Sequence, residues 1–259
     1  MKMSMDGKVA IVTGGSKGIG LAVARAFASA GARVAIVARG AEALEVARVS
    51  LGHEGFAVRD YVCDVSKADD IGNTYQRIVS DFGPVDVLVN NAGTSRAMAF
   101  ETVTDEIWQE DLDLKLFAAI RMSRLVWPGM KARRFGRIIN VLNTGAKAPP
   151  ARSTPTSVSR AAGMALTKAM ASEGGEYNIL VNALLVGLIV SDQWVRKHAT
   201  TDNGESFDDF TANMAKGIPL GRMGTAQEFA HLACFLASDL GSYITGTAIN
   251  VDGGRSPVV

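Results

Sequence analysis

The feature that most constrains this chain is a glycine-rich turn set between an apolar run and a helical pattern. Lys8–Thr13 contains Val9, Ile11 and Val12 and reads as a strand. It leads into Thr13-Gly14-Gly15-Ser16-Lys17-Gly18-Ile19-Gly20, after which Leu21–Ala28 has helical spacing and stops at Gly31. Glycines at such a junction permit a tight turn and let backbone N–H groups approach a pyrophosphate, at which the following helix aims its N-terminal dipole. A glycine triplet alone is also what a mere tight turn looks like. The strand before it and the helix after it favour the phosphate-binding reading.

The rest of the chain continues the alternation. Arg33–Ala38, Ala57–Val62, Val85–Asn90, Gly136–Leu142, Ile179–Leu185 and Ala248–Val251 are further short, apolar runs without polar alternation. Strands buried on both faces of a parallel sheet have that character. Segments of helical length separate them, including one that opens at Thr104-Asp105-Glu106 and is expected to reach Met130. The predicted fold is α/β: a single-domain, Rossmann-like, doubly wound parallel sheet of about seven strands, with helices on both faces, over residues 1–259. Ser191–Pro219 is polar with isolated aromatics (Trp194, Phe207, Phe210), the profile of a mobile lid at about 190–217.

Composition narrows the function classes. The chain is 47% hydrophobic, which excludes disorder. Lys+Arg 27 against Asp+Glu 26 gives a formal charge of +1, so no nucleic-acid partner is expected on global charge. The longest apolar run, Ile179–Val190, is interrupted by Asn182 and Gly187 and is shorter than the ~20 residues of a membrane span. The N-terminal residues do not read as a signal peptide, and a cytoplasmic protein without a membrane partner is expected. Cys63 and Cys234 lie in apolar stretches and read as core thiols. No His, Cys and carboxylate residues have metal-ligand spacing. His53 and His231 look peripheral, while His198 in the lid is a candidate proton carrier.

The end of the second strand bears on the cofactor. It reads Val37-Ala38-Arg39. A site for NAD wants an acid there for the ribose 2′-hydroxyl, whereas one for NADP wants cations for the 2′-phosphate. Ala38 takes the acid's place, Arg39 follows it, and Lys17 lies in the glycine loop. NADP(H) is therefore expected in preference to NAD(H).

With these motifs the sequence resembles the short-chain dehydrogenase/reductase family over nearly its whole length. The marks are the glycine loop, Cys63-Asp64-Val65, Asn90-Asn91-Ala92-Gly93, Gly136-Arg137-Ile138-Ile139-Asn140-Val141, Val181-Asn182-Ala183, and Gly246-Thr247-Ala248-Ile249-Asn250-Val251-Asp252-Gly253-Gly254. The resemblance implies that Gly14, Ser16, Lys17, Gly18, Ile19 and Gly20 hold the phosphates. It also implies that Asp64 and Val65 border the adenine and that Asn90, Ala92 and Gly93 line the ribose side. Ile189 and Ser191, after Gly187, would hold the nicotinamide carboxamide, with Val186 where the family usually has Pro. A homotetramer is implied too, pairing the long helices Thr104–Met130 and Thr154–Glu173 across one interface, with the C-terminal strand facing another.

The resemblance breaks at the catalytic positions. Family members carry an Asn-Ser-Tyr-Lys set, with Tyr and Lys in Tyr-x-x-x-Lys. Here the Tyr position is Thr156 and the Lys position Arg160. The Ser position falls on Asn143, with Thr144 as the alternative hydroxyl, and the Asn position falls on Lys115. The four tyrosines, Tyr61, Tyr75, Tyr177 and Tyr243, all lie outside this segment, so no shift of register restores the motif. A phenol beside a Lys can exchange a proton near working pH, and a threonine alcohol is far too weak an acid. Asn143 can still donate an N–H to a carbonyl oxygen. Arg160 can hold ribose hydroxyls or a carboxylate and stays protonated. Lys115 admits three roles: a positional cation, an acid/base, or an amine nucleophile. Lys147 and Arg152, with Lys115 and Arg160, would make a cationic pocket for an anionic small molecule. Three functions remain open on this reading: an oxidoreductase with altered proton delivery, a non-redox enzyme on the same fold (elimination, isomerisation or carbon–carbon cleavage), and a dinucleotide-binding regulator or inactive subunit.

Overall fold

The parallel sheet follows from the apolar runs, whose side chains are covered on both faces in the central strands and partly exposed in the edge strands Val58–Val62 and Ala248–Val251. The computed structural model describes residues 3–200 and 204–259. The elements in order are β1 (Val9–Thr13), α1 (Gly18–Ser29), β2 (Arg33–Ala38), α2 (Ala41–His53), β3 (Val58–Val62), α3 (Ala68–Phe82) and β4 (Val87–Asn90). A two-residue strand β5 (Ala97–Met98) precedes α4 (Asp105–Leu112), a π-helical segment (Asp113–Phe117) and α5 (Ala118–Arg133). Then come β6 (Gly136–Asn143), β7 (Thr154–Pro155), α6 (Thr156–Gly174), β8 (Ile179–Val186), α7 (Asp192–Ala199), α8 (Phe207–Ala215), α9 (Ala226–Ala237) and β9 (Ala248–Val251).

The main sheet has the order β3-β2-β1-β4-β6-β8-β9 with every pairing parallel. Its strand order reverses between β1 and β4, and ligands of open α/β sheets bind in the crevice at such a switch point. One face packs on α1, α2 and α9 through Val23, Phe27, Leu44 and Phe229. The other packs on α3, α5 and α6 through Ile71, Ile78, Met122, Val126 and Ala171. This is the expected single-domain, doubly wound arrangement. β5 and β7 form a separate antiparallel pair, Ala97 opposite Pro155 and Met98 opposite Thr154. That pairing ties the loop after β4 to the start of α6.

One expectation needs correction. The helix expected over Thr104–Met130 is not one α-helix. Thr104 caps it as foreseen, accepting from the Ile107 N–H, but its α geometry gives way to the π segment before α5 resumes and runs to Arg133. A π turn adds one residue without disturbing the apolar spacing on either side, so periodicity does not reveal it. The segment expected as a lid contains two short helices, α7 and α8. They are held by an aromatic cluster in which His198 lies 5.4 Å from both Phe207 and Phe210 and donates its Nε2–H to the Glu205 carbonyl at 2.7 Å. Residues 201–203 of that expectation lie outside the described residues.

Phe229, at 0% exposure, anchors α9 against the sheet. Phe229→Ala is expected to cost about 3–5 kcal/mol. Urea unfolding of the two proteins measures it, and a loss below about 1 kcal/mol would mean that the helix repacks.

Candidate active site

The C-terminal ends of β1, β2 and β4 converge on the glycine loop. Thr13 Oγ1 donates to the Val89 carbonyl (3.2 Å) and accepts from the N–H groups of Asn91 (2.9 Å) and Ala92 (3.0 Å). Asn91 Nδ2 donates to the carbonyls of Thr13 (2.8 Å) and Gly14 (3.3 Å). Gly14 and Gly15 donate their N–H groups to the Val37 carbonyl. The loop is thus fixed to strands on both sides. Gly14 and Gly18 have φ of +66° and +53°, and a Cβ on Gly20 would stand 2.1 Å from the Gly14 carbonyl oxygen. The loop's shape requires glycine at these positions. Lys17 is the N-cap of α1 and makes no side-chain cap, so the helix's N-terminal N–H groups are left for a ligand. Ser16 lies within this loop. Arg39 is exposed just past β2.

A cavity of about 870 Å³ opens beside the loop. Ile19, Asn91, Gly93, Gly187, Ile189 and Ser191 line one part of it, and Asn143, Thr144, Thr156, Ser157 and Arg160 another. Trp194 and Arg255 also reach its wall. Burial would by itself raise the Asp64 carboxyl, but bonds from the Ser66 N–H and hydroxyl and the cations of Arg39 and Lys67 hold it below its ordinary value. Val65 is buried in the core under that rim.

Behind the cavity wall lies a buried polar cluster. Lys115, in the middle of the π segment, has a side chain with 0% exposure. Its ammonium pairs with Asp111 and donates to Thr156 Oγ1 at 2.8 Å. Asp111 Oδ2 accepts from Ser159 Oγ at 2.7 Å, and Thr156 Oγ1 also accepts from the Arg96 N–H at 2.9 Å. Arg160 Nη1 donates to the Val141 carbonyl at 2.9 Å, while its Nε is buried without a partner. A Cβ on Gly93 would lie 2.6 Å from Arg160 Nη2, so the glycine lets the guanidinium approach. Burial lowers the Lys115 ammonium to about 8, helped by the neighbouring Arg160 cation and opposed by Asp111. Burial likewise lowers Arg160 to about 10, with Asp111 opposing. Asn143 ends β6 with a buried, unpartnered Oδ1 at the cavity.

Several expected residues sit elsewhere. Asn90 does not line the cavity: its amide donates to Asn140 Oδ1 (2.9 Å) and Ser123 Oγ (3.4 Å), and Asn140 continues to Thr167 (2.9 Å). Burial between strands leaves that amide to be satisfied inside the protein. Ala92 contributes its backbone N–H to Thr13 and is not in the wall. Lys147 turns to the Ala248 carbonyl (2.7 Å), Arg152 is exposed, and neither joins the cationic pocket. Lys115 itself does not open on the cavity; Thr156 stands between. His198 belongs to the aromatic cluster and not to the cavity lining. Sequence reasoning missed Asn91, Asp111 and Arg255. The first lay in a quoted motif, and the second stands four residues before Lys115 on what was read as one helix, where side chains meet.

Residues 14–256 match the family model described as enoyl-(acyl carrier protein) reductase. An acetoacetyl-CoA reductase of Rhizobium meliloti (strain 1021) is 36% identical over 248 residues, covering 96% of this chain and 98% of that protein. The chain belongs to the short-chain dehydrogenase/reductase family. Among solved structures of that family, L-sorbose reductase from Gluconobacter frateurii, complexed with NADPH and L-sorbose, is 36% identical, with 100% of both chains covered and a TM-score of 0.96. The NADPH-bound short chain oxidoreductase from Pseudomonas aeruginosa PAO1, described as containing an atypical catalytic center, is 37% identical, with 99% of each chain covered and a TM-score of 0.92. Among the described residues, no helix is long and apolar enough to cross a membrane, and no group of three or more His, Cys, Asp or Glu could hold a metal ion.

The buried pair gives a direct test of the cluster's energetics. Lys115→Met alone leaves the Asp111 carboxylate buried with Ser159 as its hydrogen-bond donor, and should cost about 3–5 kcal/mol. The double variant Asp111→Asn/Lys115→Met should recover more than half of that loss in urea unfolding. Additive losses would show that the two charges are not coupled.

Proposed function

We propose that the protein is an NADP(H)-dependent oxidoreductase, preferring NADP(H) to NAD(H), that reduces a carbonyl on a small anionic molecule. In this reading Lys115, Asn143, Thr156 and Arg160 replace the family's usual catalytic residues. The observation that carries it is the meeting, along one cavity, of a rigid glycine loop and a threonine backed by a buried lysine. The relatives described as NADPH complexes support the cofactor. The P. aeruginosa relative supports a departure from the usual set.

The residues present fit a phosphorylated dinucleotide. The left-handed glycines and the uncapped start of α1 leave backbone N–H groups for its phosphates. Arg39 and Lys17 supply positive charge for a 2′-phosphate, and Ala38 offers no acid to repel it. Gly187, Ile189 and Ser191 would take the nicotinamide end, and Asp64 and Val65 the adenine rim. NADP(H), when bound, supplies a hydride to the carbonyl carbon. Asn143 polarises the carbonyl oxygen through its amide N–H. Arg160 and Arg255 hold the substrate's anionic group or the ribose hydroxyls. Lys115 is the ionisable member of the set and the source of the proton. The segment 190–217, which brings Ser191, Trp194 and Gly217 to the cavity, covers the substrate as a lid. The same reading makes the protein a cytoplasmic homotetramer.

Fluorescence titration with NADPH and NADH is the first test, followed by loss of reduced-nicotinamide absorbance with keto acids and ketoacyl thioesters. NADPH should bind the more tightly. Arg39→Ala should weaken NADPH about tenfold, about 1.4 kcal/mol, and leave NADH unchanged. Equal affinities in the unaltered protein would overturn the preference, and no consumption of NADPH with any carbonyl acid would overturn the reductase reading.

A further inference from the structure

We infer that Asp111, Lys115 and Thr156 form a buried proton relay in which Thr156 hands its hydroxyl proton to the substrate, Lys115 refills it, and Asp111 positions the lysine. The inference rests on the reductase reading above and says how its proton travels.

The geometry dictates the order. Lys115 is walled off from the cavity, and of the three side chains only Thr156 lines it. A hydroxyl has two acceptor sites and one proton. Both acceptor sites of Thr156 Oγ1 are engaged, by Lys115 Nζ at 2.8 Å and by the Arg96 N–H at 2.9 Å. Its proton is the part of the group with no partner in these contacts, and Thr156 is the member of the three that lines the cavity. An isolated alcohol is too weak an acid to protonate a carbonyl oxygen. Concerted transfer removes that obstacle, because the threonine oxygen gains a proton from Lys115 as it loses its own and no threonine alkoxide forms.

The balance is complete. As the hydride adds to the carbonyl carbon and the carbonyl π bond breaks, its oxygen takes the Thr156 proton. An Nζ–H bond of Lys115 breaks, and that proton completes the hydroxyl again. Lys115 is left as a neutral amine, and water entering the open cavity after product release returns a proton by the reverse route.

Asp111 makes such a lysine workable. A lone ammonium enclosed in protein is expensive. The charged groups facing Lys115 are Asp111 from α4, Arg160 from α6, and Arg96 from the loop before β5, which is itself paired with Glu110 at 2.5 Å. Two are cations that disfavour the protonated lysine, and Asp111 is the anion in contact that favours it. Ser159 Oγ fixes the other carboxylate oxygen at 2.7 Å, so the carboxylate is held from α6 while it holds Lys115. The π segment sets Lys115 where it bridges Asp111 and Thr156, and π turns recur at functional sites.

The sign of the pH effect follows. Lys115 must be protonated to act, so reduction should fall as pH rises through about 8. Removing the Asp111 charge should move that fall to lower pH.

The test uses the full-length protein with three variants, Thr156→Val, Thr156→Ser and Asp111→Asn. Two readouts are taken: the pH profile of NADPH-dependent reduction, and the Cε chemical shift of Lys115 in carbon-13 lysine-labelled protein, assigned by its loss in Lys115→Met. Thr156→Val keeps the side-chain shape and should lower kcat by about 100-fold, whereas Thr156→Ser should stay within about threefold of the parent. Asp111→Asn should lower both the alkaline limb and the Lys115 midpoint by about one pH unit. Full activity in Thr156→Val overturns the relay, and an unmoved Lys115 midpoint in Asp111→Asn overturns the role of Asp111. If Asp111→Asn does not fold, the Val and Ser pair at Thr156 decides alone, and equal loss in both overturns the inference. A parent protein that reduces no carbonyl overturns the reductase reading instead, and the Lys115 midpoint still tests its coupling to Asp111.

Discussion

The reversal of strand order between β1 and β4 is the constraint on which the rest of the molecule depends. Chains leaving these two strands go to opposite faces of the sheet, so a crevice opens between them. Thr13 and Asn91 cross that crevice, each bonding to the other's strand end. Without them the glycine loop would be a set of flexible residues, since glycine loses the most freedom on ordering. With them the loop is tied to the residues that follow β4, next to Gly93. The β5–β7 pair extends the same fixation to α6, bringing the Arg96 N–H to Thr156.

Buried charge is the second organising element, and it is costly. Lys115 and Arg160 are two cations sharing one buried region with the single carboxylate of Asp111 as their common counter-charge. Buried pairs of this kind rarely stabilise a fold relative to well-packed apolar residues. Their persistence in a region built otherwise from apolar and neutral polar groups points to chemistry. In the proposed reading the excess positive charge of the cluster would favour negative charge developing on a substrate oxygen, and a low-dielectric setting would strengthen that attraction.

Much of this was legible in the residues, and the parts that were not have physical reasons. The strands could be read because both-face burial forces continuous apolar runs; β2 and β9 match their expected bounds, and the others shift by one or two residues. The glycine loop could be read because few residues tolerate its backbone. Side-chain direction was harder. Asn90 belongs to a motif of the site, yet its amide turns into the sheet toward Asn140, because β4 and β6 pair at that register. Lys147 and Arg152 are close to the site in sequence, but the loop that holds them turns one toward β9 and the other to solvent. Asp111 could have been found from its spacing to Lys115, and the π turn that follows it could not.

In the proposed reading, a threonine in place of the family's phenol changes where the acidic proton has to reside. A tyrosine carries its ionisable group at the end of a long side chain, in the cavity itself. Thr156 stops at Cγ and Oγ1, with 4% of its surface exposed, so the residue is part of the wall and does not reach into the cavity. Proton donation from the wall needs a second group behind it whose acidity suits neutral pH, and the ionisable group in contact with Thr156 Oγ1 is Lys115. A lysine there is too basic in water and too costly when isolated. Burial and Arg160 bring its acidity into range, and Asp111 keeps it charged. The three residues are therefore interdependent: Thr156 requires Lys115, Lys115 requires Asp111, and Asp111 is held by Ser159 on the same helix that presents Thr156.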